Sequence, residues 1–212
     1  MKFHSYKMYQ AVLTAAGILA APVVFANSIQ FDFGPSGSPS MTALFQDVLP
    51  GQVQLTIDAV NLNGNNTLNS LCFNFNPTFD ATGLIFTQTG SAGGVTGKVS
   101  SQNDSYKVGG GSGKFDIDFV FGADFVTGDS VTYSISGIPN LSVNDFLFLE
   151  TPSAGREPGY AAGSIQELSD VVVVQGAPRT VPDATSTLGL FAMALAAVGL
   201  GARRLKLATV KA

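Results

Sequence analysis

The sequence has little of what many enzymes use for catalysis. Among its 212 residues there is one histidine, His4, and no tryptophan. A Ser/His/Asp or Cys/His arrangement needs histidine as its base, and many metal sites need it as a ligand. His4 lies in a segment with the features of a removable signal peptide, which would leave the mature chain without either. Many hydrolase classes are therefore excluded, and we predict a protein that is not an enzyme and has no cofactor.

Cysteine and charge are also scarce. Cys72 is the only cysteine, which rules out an internal disulfide. It lies on the polar side of the alternating Leu71, Phe73 and Phe75, where we predict a packed thiol rather than a reactive one. Residues 27–180 carry 14 acidic side chains against five basic ones, a net charge of −9. Electrostatic binding to nucleic acid or to anionic lipid is therefore excluded, whereas divalent cations suit this charge.

The N-terminus has the features of a secretory signal peptide. Lys2 and Lys7 supply a positive start, and an apolar run follows over residues 11–25. An uncleaved anchor helix is the alternative interpretation. Fifteen apolar residues are short for a hydrocarbon core about 30 Å thick, so we predict a signal peptide.

Cleavage of this signal peptide is predicted between Ala26 and Asn27. Val24 and Ala26 place small residues at the two positions that a signal peptidase reads. A second candidate site after Ala21 is followed by Pro22, which would lie awkwardly just after the cleaved bond.

A second apolar segment, without any charge, lies near the C-terminus. It covers residues 188–202 and is followed at once by Arg203, Arg204 and Lys206. As a helix it would be about 22 Å long, enough to cross a bilayer that thins around it. The basic residues should stay cytoplasmic, which places the preceding domain outside. An amphipathic helix of the domain is the alternative, but the segment has no polar stripe at helical spacing.

A short motif precedes this segment. Val181, Pro182 and Asp183 are followed by a Ser-Thr-Leu run into the apolar helix, with an Arg-Arg pair after it. This order of parts resembles the VPDSG-CTERM sorting signal, a variant of the PEP-CTERM signals, although Ala184 and Thr185 stand where that family has Ser and Gly. The resemblance implies recognition of the motif by an exosortase-like membrane enzyme, removal of the tail, and delivery to the cell surface. Many proteins with such tails are assigned to the extracellular matrix.

Between the two signals the sequence alternates as antiparallel β-strands do, with apolar side chains on one face of each segment. Regular short strands of this kind predict an all-β fold, an antiparallel β-sandwich. The predicted strands are 52–58, 71–75, 114–121, 131–135, 146–149 and 171–174.

The chain therefore divides into five predicted parts. These are a signal peptide helix (1–26), a secreted β-sandwich domain (27–177), a linker with the sorting motif (178–187), a transmembrane helix (188–202) and a basic cytoplasmic tail (203–212). The predicted partners are signal peptidase, the exosortase-like enzyme and the membrane. The predicted location is the inner membrane in passing, and then the cell surface or the extracellular space.

Two pairs of carboxylates allow other functions. Asp116 and Asp118 lie on one face of a predicted strand, roughly 7 Å apart, and a glycosidase needs only two carboxylates that face a sugar. Asp124 and Asp129 belong to a loop whose oxygen atoms could bind calcium, although no EF-hand pattern is present. Solvated carboxylates on the wet face of a strand are the simpler interpretation of the first pair.

We therefore predict an exported structural protein of the cell envelope or extracellular matrix. The alternative is a secreted carbohydrate- or calcium-binding β-sandwich module, with extracellular polysaccharide as its partner. A histidine-free glycoside hydrolase is the third hypothesis.

The sorting motif gives a direct test. Asp183→Ala should leave export intact and block removal of the tail, because the recognised motif is lost. Intact-mass measurement of cell fractions should then find a membrane species that retains residues 188–212, whereas the natural sequence gives one that begins at Asn27 and ends near 181–185. Normal processing of the variant would contradict the sorting hypothesis.

Overall fold

The computed structural model describes residues 27–35, 37–64, 66–108, 113–122, 125–151, 158–166 and 171–181. The predicted signal peptide, transmembrane helix and basic tail lie outside these ranges, as do Pro182 and Asp183 of the motif. Within them, no helix is long and apolar enough to cross a membrane.

Ten strands and two short 3₁₀ helices form the described part of the chain. The 3₁₀ helices are Ala81–Gly83 and Val143–Phe146. The strands are β1 (Ser28–Phe33), β2 (Met41–Leu49), β3 (Gln52–Ala59), β4 (Thr67–Phe73), β5 (Ile85–Ala92), β6 (Gly97–Tyr106), β7 (Phe115–Phe121), β8 (Ser130–Ser136), β9 (Ala161–Gln166) and β10 (Val171–Thr180).

These strands form one antiparallel sheet in the order β5-β8-β3-β2-β1-β10-β9-β4-β7-β6. The sheet folds over itself, since rings from strands far apart in this order touch. The ring centroid of Phe73 in β4 lies 5.6 Å from that of Phe31 in β1, and Phe119 in β7 lies 5.1 Å from Tyr133 in β8. We call β5-β8-β3-β2-β1 layer one and β10-β9-β4-β7-β6 layer two. The prediction of an all-β, antiparallel fold is confirmed.

Strict alternation of apolar residues places the core between the layers. Val53, Leu55 and Ile57 of β3 are fully buried, while the residues between them are only half-buried. The side chains of β7 alternate in the same way, with Ile117 and Phe119 on the buried face. Each such side chain stabilises the fold by about 1.5–3 kcal/mol through removal of its apolar surface from water.

A cluster of phenylalanine rings occupies the centre of this core. Phe73 makes edge-on contacts with four of them, at centroid distances between 5.0 and 6.2 Å. Edge-on pairs add attraction between ring quadrupoles to the burial of apolar surface. The four rings around it are Phe31, Phe33 and Phe45 of layer one and Phe119 of layer two.

The first and last strands join the two layers. β1 pairs with β10 along its length, from Ile29 opposite Thr180 to Phe33 opposite Gly176. Beyond the strand, the Ser28 hydroxyl donates a hydrogen bond of 2.7 Å to the carbonyl of Val181. β10 therefore continues three residues past the predicted domain end at 177, into the segment predicted as linker.

The predicted strand at 146–149 is wrong. Its first residue, Phe146, ends a 3₁₀ helix, and the residues after it are irregular. The Asp145 carboxylate accepts hydrogen bonds from the Ser142 amide (2.9 Å) and hydroxyl (3.2 Å), which fixes the turn. Phe146 then stacks on Phe45 with a centroid distance of 4.5 Å. A local capping interaction thus overrides the apolar pattern of this segment.

The ring cluster generates a stability prediction. Phe73→Ala should lower the free energy of unfolding by about 3–5 kcal/mol, because it leaves a cavity at the contact between the layers. Phe79→Ala is the matched control, since Phe79 is 37% exposed and contacts one ring, that of Phe75. Its expected cost is about 1 kcal/mol. Equal losses for the two variants in denaturant unfolding would contradict the central role of Phe73.

Candidate functional site

Asp116, predicted as one of two glycosidase carboxylates, ties three segments together. Its Oδ1 accepts a hydrogen bond of 2.7 Å from the amide of Asp104 in β6, and its Oδ2 accepts one of 2.8 Å from the amide of Phe75, just past β4. Burial raises the pKa of this carboxyl, and the two backbone donors partly oppose that shift. β4 ends at Phe73, and the amide of Phe75 just beyond it donates to the Asp116 side chain instead of to a neighbouring strand.

Asp118, the second of these carboxylates, contacts the cysteine. The Cys72 thiol donates to Asp118 Oδ1 at 3.2 Å, and burial raises the pKa of both groups. A thiol that stays protonated is a poor nucleophile. Cys72 is fully buried, so the prediction of a packed thiol is confirmed. Both predicted glycosidase carboxylates are thus hydrogen-bonded within the protein.

The predicted calcium loop is a turn where the structure describes it. Asp129 Oδ2 accepts a hydrogen bond of 3.0 Å from the amide of Val126, and the Asp129 amide donates to the Val126 carbonyl at 3.1 Å. Asp124 lies outside the described residues, which contain no group of three His, Cys, Asp or Glu side chains placed to hold a metal ion. The calcium hypothesis remains a prediction.

A cleft opens beside Asp116, with a volume of about 260 Å³. It forms where the end of β4, the irregular part of β6 and the segment after the second 3₁₀ helix meet. We call it the Asn/Asp cleft. Its lining residues are Asn74, Phe75, Asn76, Pro77, Asn103, Asp104, Asp116, Phe148, Leu149 and Thr151.

A break in the β6–β7 register brings polar side chains to this cleft. The pairing of β6 with β7 is interrupted between Ser101 and Tyr106, and Asp104 there has a backbone φ of +50°. Left-handed backbone is costly for most residues, although Asp and Asn tolerate it. The Asp116 side chain holds this conformation through the Asp104 amide, so one carboxylate shapes the cleft as well as lining it.

Hydrogen bonds also hold the side chains of Asn103 and Asp104 in place, by one atom each. Thr151 Oγ1 donates to Asp104 Oδ1 at 2.6 Å, and Asn103 Oδ1 accepts from the Ala81 amide at 2.8 Å. Asp104 Oδ2 and Asn103 Nδ2 have no partner among the residues that the structure describes. The cleft therefore presents an oriented acceptor and an oriented donor at low entropic cost.

Apolar side chains also line the cleft. Phe75 is buried, Phe148 is half-buried, and Leu149 is 50% exposed. Small-molecule sites usually combine apolar surface with a few placed polar groups in this way. A volume of about 260 Å³ suits a small ligand.

A buried glutamate, which the sequence analysis did not single out, supports one side of the cleft. Glu150 is 3% exposed, and its Oε1 accepts a hydrogen bond of 3.1 Å from the amide of Gly159. A side chain at Gly113 would lie 2.5 Å from the carbonyl oxygen of Thr151, so only glycine allows this close approach. These contacts fix the positions of Leu149 and Thr151 on either side of Glu150.

A second, more open groove of about 270 Å³ lies near the end of β10. It is lined mainly by apolar side chains together with Tyr160 and Arg179, and Arg179 Nε pairs with Asp32 at 2.7 Å. The groove lacks the array of amides and carboxylates found in the Asn/Asp cleft.

Half-buried carboxylates generate a pH prediction. A carboxyl with a raised pKa holds its proton more tightly in the folded state than in the unfolded chain, so its contribution to stability is complete below the ordinary value of 3.8 and is lost as pH rises through the raised pKa. Hydrogen bonds from Thr82 lower the pKa of Asp80, which is exposed. Four carboxyls have pKa values raised mainly by burial: Asp47, Asp58, Asp116 and Asp118.

We expect the free energy of unfolding to fall as the pH rises above the ordinary carboxyl value of 3.8. Asp58→Asn should flatten this slope, since burial is the cause of the shift at Asp58. Asp80→Asn is the control, and it should not flatten the slope. Denaturant unfolding at a series of pH values makes the measurement, and stability that rises over this range would contradict the prediction.

Comparisons with known proteins assign no family. No protein-family model matches the sequence, and no curated protein matches it. Among solved structures, the chain is similar to the carbohydrate-binding module CBM3b from the cellulosomal cellobiohydrolase 9A from Clostridium thermocellum. The identity is 15%, the TM-score is 0.34, and the match covers 72% of this chain and 97% of that module. A TM-score of 0.34 is too low to assign a shared fold.

Proposed function

We propose that the protein is an exported, non-catalytic β-sandwich module that binds neutral polysaccharide of the cell envelope or extracellular matrix through the Asn/Asp cleft. The observation that carries the proposal is the combination of fixed amide and carboxylate groups with apolar surface in one cleft. Sugars present hydroxyl groups on their edges and C–H groups on their faces, so they need both kinds of contact.

Charge selects the class of polysaccharide. Asp104 and Asp116 line the cleft, and residues 27–180 carry a net charge of −9. A uronic acid polymer would be repelled by this potential, whereas a neutral polymer would not. Asp104 Oδ2 can accept a hydrogen bond from a sugar hydroxyl, and such bonds to charged groups contribute about 1.5–3 kcal/mol each.

The hydrogen bonds of the predicted glycosidase pair favour binding without catalysis. Both oxygens of Asp116 accept from backbone amides, and Asp118 accepts from the Cys72 thiol. A general acid must hold a proton and direct it at the glycosidic oxygen. The amides of Phe75 and Asp104 already donate to the two carboxylate oxygens of Asp116, so neither oxygen is free to direct a proton at a sugar.

Delivery to the matrix completes the proposal. A signal peptide cleaved at Ala26 and a sorting motif at Val181–Asp183 would export the domain and release it from the membrane, as the sequence resemblance implies. In this proposal the C-terminal tail directs the protein to the cell surface, and the Asn/Asp cleft binds polysaccharide there.

Two cleft variants with matched controls test the binding site. Asp104→Asn keeps the backbone conformation and the acceptor for Thr151 while removing the charge, and it should weaken binding about tenfold or more. Leu149→Ala should weaken binding about fivefold through lost apolar contact. Asp58→Asn and Leu49→Ala are the same substitutions outside the cleft, with Leu49 63% exposed, and should leave affinity unchanged.

Binding is measured by affinity electrophoresis and calorimetry against neutral and uronic acid polysaccharides of similar length, with and without a chelator. We expect binding to a neutral polymer that survives the chelator. Unaltered affinity in both cleft variants would remove the cleft from the proposal, and failure to bind any neutral polymer would remove the function. Loss of binding on chelation would favour the calcium-dependent alternative.

A further inference from the structure

The folded sheet has two terminal strands, β5 and β6, and β5 has an open backbone edge. β5 pairs with β8 on one side, and on its other side no described strand pairs with it. Its backbone groups on that side also make no hydrogen bond to other described segments. An edge of this kind is a template for a further strand.

β5 lacks the charged residues and prolines that usually protect such an edge. The flanking charges are Asp80 and Lys98, and residues 81–97 between them contain no charged residue and no proline. Ile85, at the start of the strand, is 58% exposed, and the side chains from Thr87 to Ala92 are also exposed. Natural proteins normally place lysine, proline or an inward charge at an exposed strand of this length.

β6, at the other end of the sheet, is protected. It carries Lys98 and Asp104, and its pairing with β7 is irregular between Ser101 and Tyr106. A charged and irregular edge adds strands poorly. The two ends of the same sheet thus differ in how readily they accept a partner.

We propose that two copies of this protein pair through β5, antiparallel across a twofold axis, so that layer one continues from one copy into the next. Residues 27–180 carry a net charge of −9, so two copies of the domain repel one another over most of their surface. The uncharged strand β5 can meet its own copy without this repulsion. Symmetric pairing uses the same edge of both copies and therefore closes at a dimer.

The interface is small, so the dimer is weak and depends on concentration. The β5 register shifts between Gln88 and Gly90, which limits the regular pairing to short stretches on either side. Higher ionic strength should strengthen the dimer by screening the acidic surfaces of the two copies. The inference is independent of polysaccharide binding, because no residue of β5 lines the Asn/Asp cleft. A dimer would carry two such clefts and would gain avidity on a repeating polymer.

Sedimentation measurements on the protein purified from exporting cells test the pairing, over about 10 μM to about 1 mM at low and high salt. We expect a monomer–dimer equilibrium that shifts toward dimer with salt. Thr87→Lys combined with Ser91→Lys should abolish the dimer by adding two positive charges from each copy to the shared edge. Ser100→Lys combined with Gln102→Lys adds the same charge to β6 and should leave the dimer intact.

Hydrogen exchange at high and low concentration locates the interface. The natural protein should gain protection in residues 85–92 at high concentration, and the Thr87/Ser91 variant should not, while both variants unfold at the same denaturant concentration as the natural protein. A monomer at all concentrations would overturn the proposal. So would a dimer that resists both pairs of substitutions, one that is lost equally in both, or protection confined to other strands.

Discussion

The phenylalanine layer between the two halves of the sheet is the interaction on which the rest of the structure depends. The described chain has no disulfide and no tryptophan, so Phe73 and the rings around it supply the contact that holds the halves together. The same layer reaches the site. Phe45 stacks on Phe146, Phe146 contacts Phe75, and these contacts hold the segments that form the two sides of the Asn/Asp cleft. The geometry of the cleft therefore depends on the packing of the core.

Sequence alternation predicted several of the strands that bury one face. β3, β7 and β8 lie where their apolar residues recur at every second position. The terminal strands β5 and β6 were not predicted, because a strand with few buried residues leaves no such pattern. β9 was missed for the opposite reason: its small residues, such as Ala161 and Ala162, are buried on both faces. β1 alternates as well, with Ile29, Phe31 and Phe33 buried, although it was not among the predicted strands.

The cleft was much harder to predict than the strands. Asp116 was singled out because it alternates with Asp118, but its role as an acceptor for two neighbouring segments depends on where β4 and β6 lose their regular pairing. Asn103 and Thr151 come from distant parts of the chain, and only the sheet order brings them together. Hydrogen-bond partners this far apart in the chain form no motif of fixed spacing in a single sequence.

The pairing of β1 with β10 sets the time at which the domain can finish folding. Ile29 finds its partner Thr180 only after about 150 intervening residues have been delivered, and contacts of such long range fold slowly. β1 can pair early with β2, but in a chain exported from its N-terminus the other edge of β1 would stay unpaired until β10 emerges. The pairing of β1 with β10 would form only when the segment just before the proposed sorting motif emerges, so completion of the sheet and exposure of that motif would coincide.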